Sequence, residues 1–240
     1  MTTRKTAIVT GASSGIGLGL TIALLEHGYQ VVANSRRITK AGSLTPSENL
    51  ALVDGDIAHP ETARTVVDIA RHRFGTVDLL INNAGIFIPK PFTDYTTDDF
   101  DRLVSTNLAD FLYVTQQAVR QMRTQGAGHI VNITTSLADQ PIAGVPAAIP
   151  VLTKGGLNAV TAALAIEFAG EGIRFNAIGA GIIDTPMHNP ETHEFLKSLH
   201  PIHRIGRVSE IVDAVLYLTD ATFVTGEVLH VDGGAHAGKW

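Results

Sequence analysis

The stretch "TGASSGIG", residues 10–17, stands between an apolar run and a helical pattern. Its glycines, Gly11, Gly15 and Gly17, permit a tight turn, a close approach of the backbone to a ligand and close packing of the helix on the sheet. The N–H groups that open the following helix are free to bind phosphate. Glycines after a strand also form simple tight turns, but the position between first strand and first helix favours a dinucleotide pyrophosphate site. That site would comprise Gly11, Ser13, Ser14, Gly15, Ile16 and Gly17.

Short apolar runs alternate with helical patterns along the rest of the chain. The predicted strands lie at 6–10, 30–35, 50–56, 78–83, 129–134, 173–178 and 227–233, and the predicted helices at 15–27, 60–74, 97–125, 151–170 and 208–219. This βαβ repetition predicts an α/β fold, a Rossmann-type doubly wound parallel sheet of about seven strands with helices on both faces. No linker rich in Pro, Gly or Ser interrupts it, so we expect one domain over residues 1–240.

Composition narrows the classes of partner. The 240 residues carry a formal net charge of -5 and a pI near 6.0, which argues against electrostatic binding of nucleic acid or an anionic membrane. There are no cysteines, so disulfides, thiolate metal sites and a cysteine nucleophile are excluded. With no signal peptide and no apolar run judged long enough to span a bilayer, we expect a soluble cytoplasmic protein.

The end of the second predicted strand, "NSRR" (34–37), bears on the choice of cofactor. An NAD site usually has a carboxylate there to bind the ribose hydroxyls, whereas arginine accommodates a 2′-phosphate. Ser35 can donate to such a phosphate, and Arg36 can pair with it through its guanidinium. An ordinary solvated strand end is the alternative. Because no carboxylate occupies this position, the sequence favours NADP(H).

Motifs spread over nearly the whole chain carry a family resemblance. They are "TGASSGIG", "DGDI" (54–57), "NNAG" (82–85), "STNL" (105–108), "IVNITTS" (130–136), "LTKGGLNAVTAALAIEFAGEGIRFNAI" (152–178) and "VTGEVLHVDGG" (224–234). In this order they resemble the short-chain dehydrogenase/reductase family. The resemblance implies a nicotinamide-dependent oxidoreductase with a small-molecule substrate, and says little about which substrate.

The same resemblance implies further cofactor contacts and an assembly. Asp56 and Ile57 would hold the adenine, while Asn83, Ala84 and Gly85 would border its ribose. Ile183 and Thr185 would border the nicotinamide. Ala180 replaces the proline that the family has before the glycine of that last loop. Relatives assemble through the helices at 97–125 and 151–170 and the C-terminal segment, which implies a homo-oligomer, a tetramer.

Hydride transfer to a carbonyl leaves charge on oxygen, so such a site needs a proton donor and a polarising hydroxyl. In the family these are a tyrosine and a serine, assisted by a lysine and an asparagine. Lys154 and Asn107 match the last two. The hydroxyl falls at Thr135 or Ser136, of which we favour Ser136. Capping of a strand end by both is the alternative.

Pro150 occupies the position four residues before Lys154 where the family has its tyrosine. It has no side-chain proton donor, and proline is favoured in the first turn of a helix. The tyrosines elsewhere, Tyr29, Tyr95, Tyr113 and Tyr217, are weak substitutes because their segments have other expected roles. Lys154 or water would then supply the proton.

The segment 186–206 is expected to cover the substrate, as the corresponding stretch does in the family. It contains His188, His193, His200 and His203, any of which could donate a proton near neutral pH. No histidine pair is flanked by convincing carboxylate ligands, so no metal site is predicted. The sequence therefore predicts an NADP(H)-dependent oxidoreductase with a non-standard proton donor. A catalytically weak NADP(H) sensor is the alternative.

Overall fold

The protein is described from a computed structural model, which covers residues 4–238. The strands are β1 (Thr6–Thr10), β2 (Gln30–Ser35), β3 (Leu50–Asp54), β4 (Leu79–Asn82), β5 (Gly128–Thr135), β6 (Ile173–Ala180) and β7 (Val228–Val231). The helices are α1 (Gly15–Glu26), α2 (Ile38–Ala41), α3 (Pro60–Ile69), α4 (Thr97–Val104), α5 (Asp110–Gln125), α6 (Ala148–Phe168), α7 (His193–Lys197) and α8 (Val208–Asp220).

The seven strands form one sheet in the order β3-β2-β1-β4-β5-β6-β7. Each neighbouring pair runs parallel. Strands buried on both faces need apolar residues at successive positions, and β1, "TAIVT", is buried at each of its five. The predicted Rossmann-type sheet is confirmed, with strand bounds that differ by up to two residues.

Two apolar cores lie on opposite faces of the sheet. One contains Leu20 and Leu24 of α1 together with Val215 and Leu218 of α8. The other contains residues of α3, α5 and α6 together with Phe175 of β6. A parallel sheet with helices on both faces directs the carboxyl ends of its strands to one edge, where ligands bind near the reversal of strand order. Here that reversal lies between β1 and β4.

The predicted helix 97–125 is interrupted. A π-helical turn, Ser105–Ala109, separates α4 from α5, and a second one, Ala70–Phe74, ends the predicted helix 60–74. Such turns arise where one extra residue is accommodated in a helix, often at a functional site. The first of them contains Asn107.

Helix α6 starts three residues earlier than predicted and is more apolar than the sequence reading allowed. Together with the turn that follows it, it spans Ala148–Glu171, 24 residues with a mean hydropathy of 1.4 in its most apolar part. By length and composition alone this would suffice to cross a membrane, contrary to the expectation that no run is long enough. The core helix of an α/β protein passes the same test, and α6 packs on β5 and β6.

Candidate active site

A cavity of about 1210 Å³ opens at the carboxyl edge of the sheet. Its wall is built from the glycine loop, from the ends of β2 to β6, from Lys154 and from the segment after β6. Of the residues proposed from the sequence, it is lined by Gly11, Ser13, Ser14, Gly15, Ile16, Ser35, Arg36, Asp56, Ile57, Asn83, Ala84, Gly85, Ser136, Lys154, Ile183 and Thr185. Gly17 and Asn107 lie behind the wall, and the fold thus brings distant segments of the chain to one space.

The glycine loop is shaped for close contact. Gly11 and Gly15 have φ values of 66° and 54°, a conformation that side chains other than glycine rarely adopt. A Cβ on Gly17 would lie 2.4 Å from the carbonyl oxygen of Gly11. The N-cap of α1, Ser14, forms no side-chain hydrogen bond with the helix. The first N–H groups of α1 are therefore available to an anion.

Asn83, at the end of β4, holds the glycine loop in place through hydrogen bonds. Its side-chain amide donates to the carbonyl oxygen of Thr10 at 2.9 Å, and the backbone N–H groups of Asn83 and Ala84 both donate to Thr10 Oγ1 at 3.0 Å. The end of β4 is thereby tied to the end of β1. The side chain of Asn83 contributes to the site mainly by holding the glycine loop in place.

The end of β2 offers a cation to the cavity. Arg36 is exposed, lines the cavity and forms no side-chain hydrogen bond or ion pair with any residue in the described range 4–238. The nearby carboxylate Asp54 is engaged with the N–H and hydroxyl of Thr39, whose hydrogen bonds lower the pKa of this exposed group. An unpaired guanidinium at this place suits a phosphate.

Asn34 was missed by the sequence analysis, since it reads as the interior of β2. It is fully buried and lines the cavity, and its side-chain amide donates to the carbonyl oxygens of Val53 and Gly55 at 3.0 and 3.1 Å. Its Oδ1 is buried with no hydrogen-bond partner. Such an orphaned acceptor beside a cavity is costly unless a ligand or water donates to it. This fits a nucleotide bound at the end of β2.

Lys154 connects α6 to the centre of the cavity. It is 9% exposed, and its ammonium donates to the carbonyl oxygen of Ile133, near the end of β5, at 2.9 Å. A Cβ on Gly85 would lie 2.8 Å from Lys154 Nζ, so a larger residue here would displace the end of the lysine side chain. Burial lowers the pKa of the Lys154 ammonium, and the charge of Asp110 opposes this.

Asn107 lies directly behind Lys154. Its side-chain amide donates to the carbonyl oxygen of Ile86 at 3.1 Å and to Thr153 Oγ1 at 3.0 Å, and its Oδ1 accepts from the N–H of Ile86 at 2.9 Å. Both amide hydrogens are therefore used, and only one lone pair of the oxygen is left for water. The residue joins the π-helical turn, the segment after β4 and α6.

The two candidate hydroxyls at the end of β5 differ in their partners. Thr135 Oγ1 accepts a long hydrogen bond from the N–H of Leu137, 3.3 Å, and so caps the following turn. The hydroxyl of Ser136, a residue 4% exposed, has no hydrogen-bond partner in the part of the chain that is described, and it faces the cavity. Ser136 is the less engaged of the two.

Pro150 is buried in the first turn of α6, one helical turn before Lys154. It does not line the cavity, whose wall here consists of Ile142, Val145 and Pro146 from the preceding loop. Within residues 4–238, no tyrosine lines the cavity either. One of the four tyrosines, Tyr95, donates its hydroxyl to the carbonyl oxygen of Ile88 at 2.7 Å.

The segment 186–206 contributes two histidines to the cavity. His188 is half-buried, and burial lowers its pKa, with His193 acting in the same direction. His200 is 3% exposed and accepts from the N–H of Ile182 at 3.0 Å, while its Nδ1 is buried without a partner. Over the described residues 4–238, no group of three His, Cys, Asp or Glu side chains is arranged to hold a metal. His200 thus fastens the loop in which Ala180 replaces the proline.

The amino-acid sequence, compared with known families, matches over residues 11–236 the family described as enoyl-(acyl carrier protein) reductase. The chain belongs to the short-chain dehydrogenase/reductase family. A 3-oxoacyl-[acyl-carrier-protein] reductase of Buchnera aphidicola is 31% identical, with 98% of each chain covered. A gluconate 5-dehydrogenase of Gluconobacter oxydans is 33% identical, with 95% of this chain and 93% of the relative covered.

Solved structures agree with this membership. ElxO with NADP bound superposes with a TM-score of 0.90 at 28% identity, covering 98% of this chain and 100% of that one. A tyrosine-to-phenylalanine variant of ElxO, solved with NADPH bound, gives the same TM-score, identity and coverage. Members of the family are nicotinamide-dependent oxidoreductases, and the cavity at the carboxyl edge is where their shared fold binds a dinucleotide.

Proposed function

We propose that the protein is an NADP(H)-dependent oxidoreductase that exchanges hydride with a small carbonyl compound or another activated acceptor, such as a quinone or an iminium ion. One observation carries this proposal. The buried ammonium of Lys154 and the unengaged hydroxyl of Ser136 line the same cavity as the glycine loop and Arg36. A nucleotide bound along the strand ends would extend from the cation at β2 to the polar groups beside β5.

The residues present fit such a cofactor for two reasons. The cavity wall includes a buried acceptor without a partner, Asn34 Oδ1. It also includes Gly85, where a side chain would push against Lys154 Nζ. The first N–H groups of α1 would bind the pyrophosphate, and Ser35 and Arg36 the 2′-phosphate. Asp56 and Ile57 would hold the adenine, and Asn83 to Gly85 its ribose. Lys154, Ile183 and Thr185 would hold the nicotinamide riboside. When bound, the cofactor supplies or accepts the hydride.

Two residues of this chain, Ser136 and Lys154, would then act on the substrate oxygen, and a third, Asn107, would hold them in position. Ser136 would donate a hydrogen bond to it and so stabilise the charge that develops there. Lys154 would provide a fixed positive charge and, directly or through water, a proton. Asn107 would keep Lys154 and the segment after β4 in register through its bond to Thr153, without touching the substrate. His188 is the alternative proton source.

Because Pro150 stands where the family has a tyrosine, we can say which acceptors the protein should reduce best. General acid catalysis contributes about 10²–10⁴-fold, so a site without its phenol retains turnover but loses most on unactivated ketones. Acceptors that are already electron-poor need less protonation. We therefore expect quinones and iminium ions to be reduced faster than simple ketones.

A second candidate function is favoured by Pro150. A protein that binds NADP(H) with little chemistry would serve as a sensor, and it would use the same cofactor residues. A tyrosine-to-phenylalanine variant of ElxO was solved with NADPH bound, so that relative binds the cofactor without that phenol. Ser136 and Asn107 favour the enzyme, because a pure binder has no evident use for them.

The deciding experiment is NADPH oxidation in the presence of a panel of ketones, quinones and iminium ions, followed by absorbance. Turnover of any acceptor that is lost in Lys154→Ala, while Asp213→Asn on the exposed face of α8 retains it, supports the oxidoreductase. Tight binding of NADPH without turnover of any acceptor supports the sensor. Absence of NADPH binding contradicts both.

We also propose that the chain acts as one domain, with the segment 186–206 as the cover of the substrate, in a soluble cytoplasmic homo-oligomer. The apolar side chains on α5 and α6 that stay exposed, Leu112, Leu152 and Ile166, support an interface between subunits. The last two residues, 239 and 240, belong to the predicted C-terminal interface segment and lie outside the described residues.

A further inference from the structure

Two ionisable side chains, Lys154 in the cavity wall and Asp110 behind it, are buried without an ion pair. Asp110 is 3% exposed and Lys154 is 9% exposed. Among residues 4–238 neither forms a direct ion pair with another side chain. The carboxylate accepts a hydrogen bond from the N–H of Phe111, and the ammonium donates one to the carbonyl oxygen of Ile133. Each ionised group thus has one backbone partner, which is too little to offset full desolvation.

The fold brings the two groups to one place. Asp110 is the first residue of α5 and lies three residues after Asn107, on the same side of the helix. Asn107 is bonded to Thr153, the residue before Lys154, at 3.0 Å. Gly85 lies beside both Lys154 and Asn107, since a Cβ there would lie 2.8 Å from Lys154 Nζ and 3.2 Å from Asn107 Oδ1. Asp110, at the start of α5, is thereby brought towards Lys154 through Asn107 and Thr153.

The charges that act on Asp110 come from two directions. The pKa of its carboxyl is raised to about 7, mainly by burial; the Lys154 ammonium on α6 and the N–H of Phe111 oppose this rise, and Asp56, in the loop after β3, adds to it. Helix α3, which packs on α5, contributes the apolar side chains Ala63, Val66 and Val67 to the shared core. Lys154 is thus the cation with which Asp110 interacts, and the interaction is reciprocal.

We propose that Asp110 is a positioning residue that acts through Lys154 and sets the acidity of its ammonium, so that Lys154 can serve as the proton donor that Pro150 cannot be. With Asp110 protonated, the ammonium keeps its hydrogen bond to Ile133 but has no carboxylate to stabilise its charge, and Lys154 gives up a proton readily. With Asp110 ionised, the ammonium is retained as a fixed cation. This inference rests on the proposed function for its role in catalysis, but the interaction itself can be measured in the protein without cofactor or substrate.

The backbone N–H of Phe111 can report on the ionisation of the Asp110 carboxyl. Because the N–H of Phe111 donates to Asp110 Oδ1, the amide chemical shift of Phe111 follows ionisation of the carboxyl. In an NMR titration of the wild type we expect a midpoint far above the ordinary value of about 3.9 for an aspartate. Lys154→Met removes the opposing cation, and we expect the midpoint to rise by about one pH unit or more. A wild-type midpoint below about 5, or one that Lys154→Met leaves in place, overturns the proposal.

The second experiment tests whether the charge of Asp110, acting through Lys154, affects NADPH affinity. In Asp110→Asn the ammonium loses the carboxylate that raises its pKa, so the alkaline loss of NADPH affinity should begin at a lower pH than in the wild type. Asp213→Asn, which makes the same change on the exposed face of α8, should leave that pH unchanged. If Asp110→Asn and the wild type lose affinity at the same pH, the proposal is wrong.

The experiments distinguish failure of the proposed function from failure of the proposed interaction between Asp110 and Lys154. If no acceptor oxidises NADPH but Phe111 titrates as expected, the proposed function is wrong and the buried pair stands. If NADPH is oxidised but Phe111 reports an ordinary aspartate, the proposed function stands and the pair is wrong. The wild-type titration needs no substitution, so a variant that fails to fold does not prevent the decision.

Discussion

The Nζ atom of Lys154 lies 2.9 Å from the carbonyl oxygen of Ile133, so one hydrogen bond joins the first third of α6 to the end of β5. The ammonium has three hydrogens, and this bond uses one. The others are available on the side of the cavity. The position of the charge is thereby fixed by the sheet and does not depend on a ligand.

Lys154→Ala removes this charge, and we expect NADPH to bind at least about tenfold more weakly and turnover to be lost, since a charge-assisted hydrogen bond contributes about 1.5–3 kcal/mol. Isothermal titration calorimetry on the folded variant provides the measurement. A solvated lysine would give a nearly silent substitution. Unchanged affinity would therefore show that Lys154 does not contact the cofactor.

Arg36→Ala should abolish the preference for NADPH over NADH. The guanidinium has no partner within the described chain and is placed to pair with the 2′-phosphate, which NADH lacks. We expect NADPH affinity to fall by about 10- to 100-fold and NADH affinity to change little, because a charged bidentate contact is lost for one ligand only. Arg64→Ala, at an exposed arginine of α3 that does not line the cavity, is the matched control. Equal affinities of the wild type for both nucleotides would contradict the assignment.

Pro150→Tyr should increase ketone reduction. A tyrosine here lies one helical turn from Lys154, on the same face, and the ammonium would lower the pKa of the phenol. We expect the rate to rise by about 10- to 100-fold, less than the full range for an acid catalyst, because the cavity wall at this point is formed by Ile142, Val145 and Pro146.

Quinone and iminium reduction should change much less in the same variant, which makes the ratio of the two rates the readout. Pro150→Phe serves as the control, since it adds the ring without the hydroxyl. Folding must be checked first because proline restricts the unfolded chain. If the folded tyrosine variant binds NADPH and reduces ketones no faster than the parent, the missing phenol does not limit this protein.

Ile166→Glu should break the oligomer. Ile166 is 81% exposed on α6, and Leu112 is 45% exposed on α5, an arrangement that a subunit interface would cover. Light scattering at micromolar concentration should give an oligomer for the wild type and a smaller mass for the variant. Ile22→Glu, on α1, is the control. A monomeric wild type would refute the proposed assembly.

The sequence was most informative for residues whose predicted role depends on the residues next to them in the chain. Gly11 and Arg36 could be predicted at the cavity, which both line, because strand, turn and helix follow one another within a short stretch. Asp110 could not, because in the sequence it reads as an ordinary polar residue of a helix, and His200 was predicted only as a possible proton donor. The burial of Asp110 and the hydrogen bond between His200 and the N–H of Ile182 arise only when the chain folds.

The π-helical turn Ser105–Ala109 also marks where the chain can change in length. Because such a turn accommodates one extra residue in a helix, a one-residue deletion here would convert it into an ordinary α-helical turn and leave the flanking helices facing as before. Val114, Ala118 and Met122, which are fully buried, would keep their places in the core. The same deletion inside α5 would rotate every residue beyond it by about 100°. Among natural variants we therefore expect single-residue gaps at this turn and none in the regular part of α5.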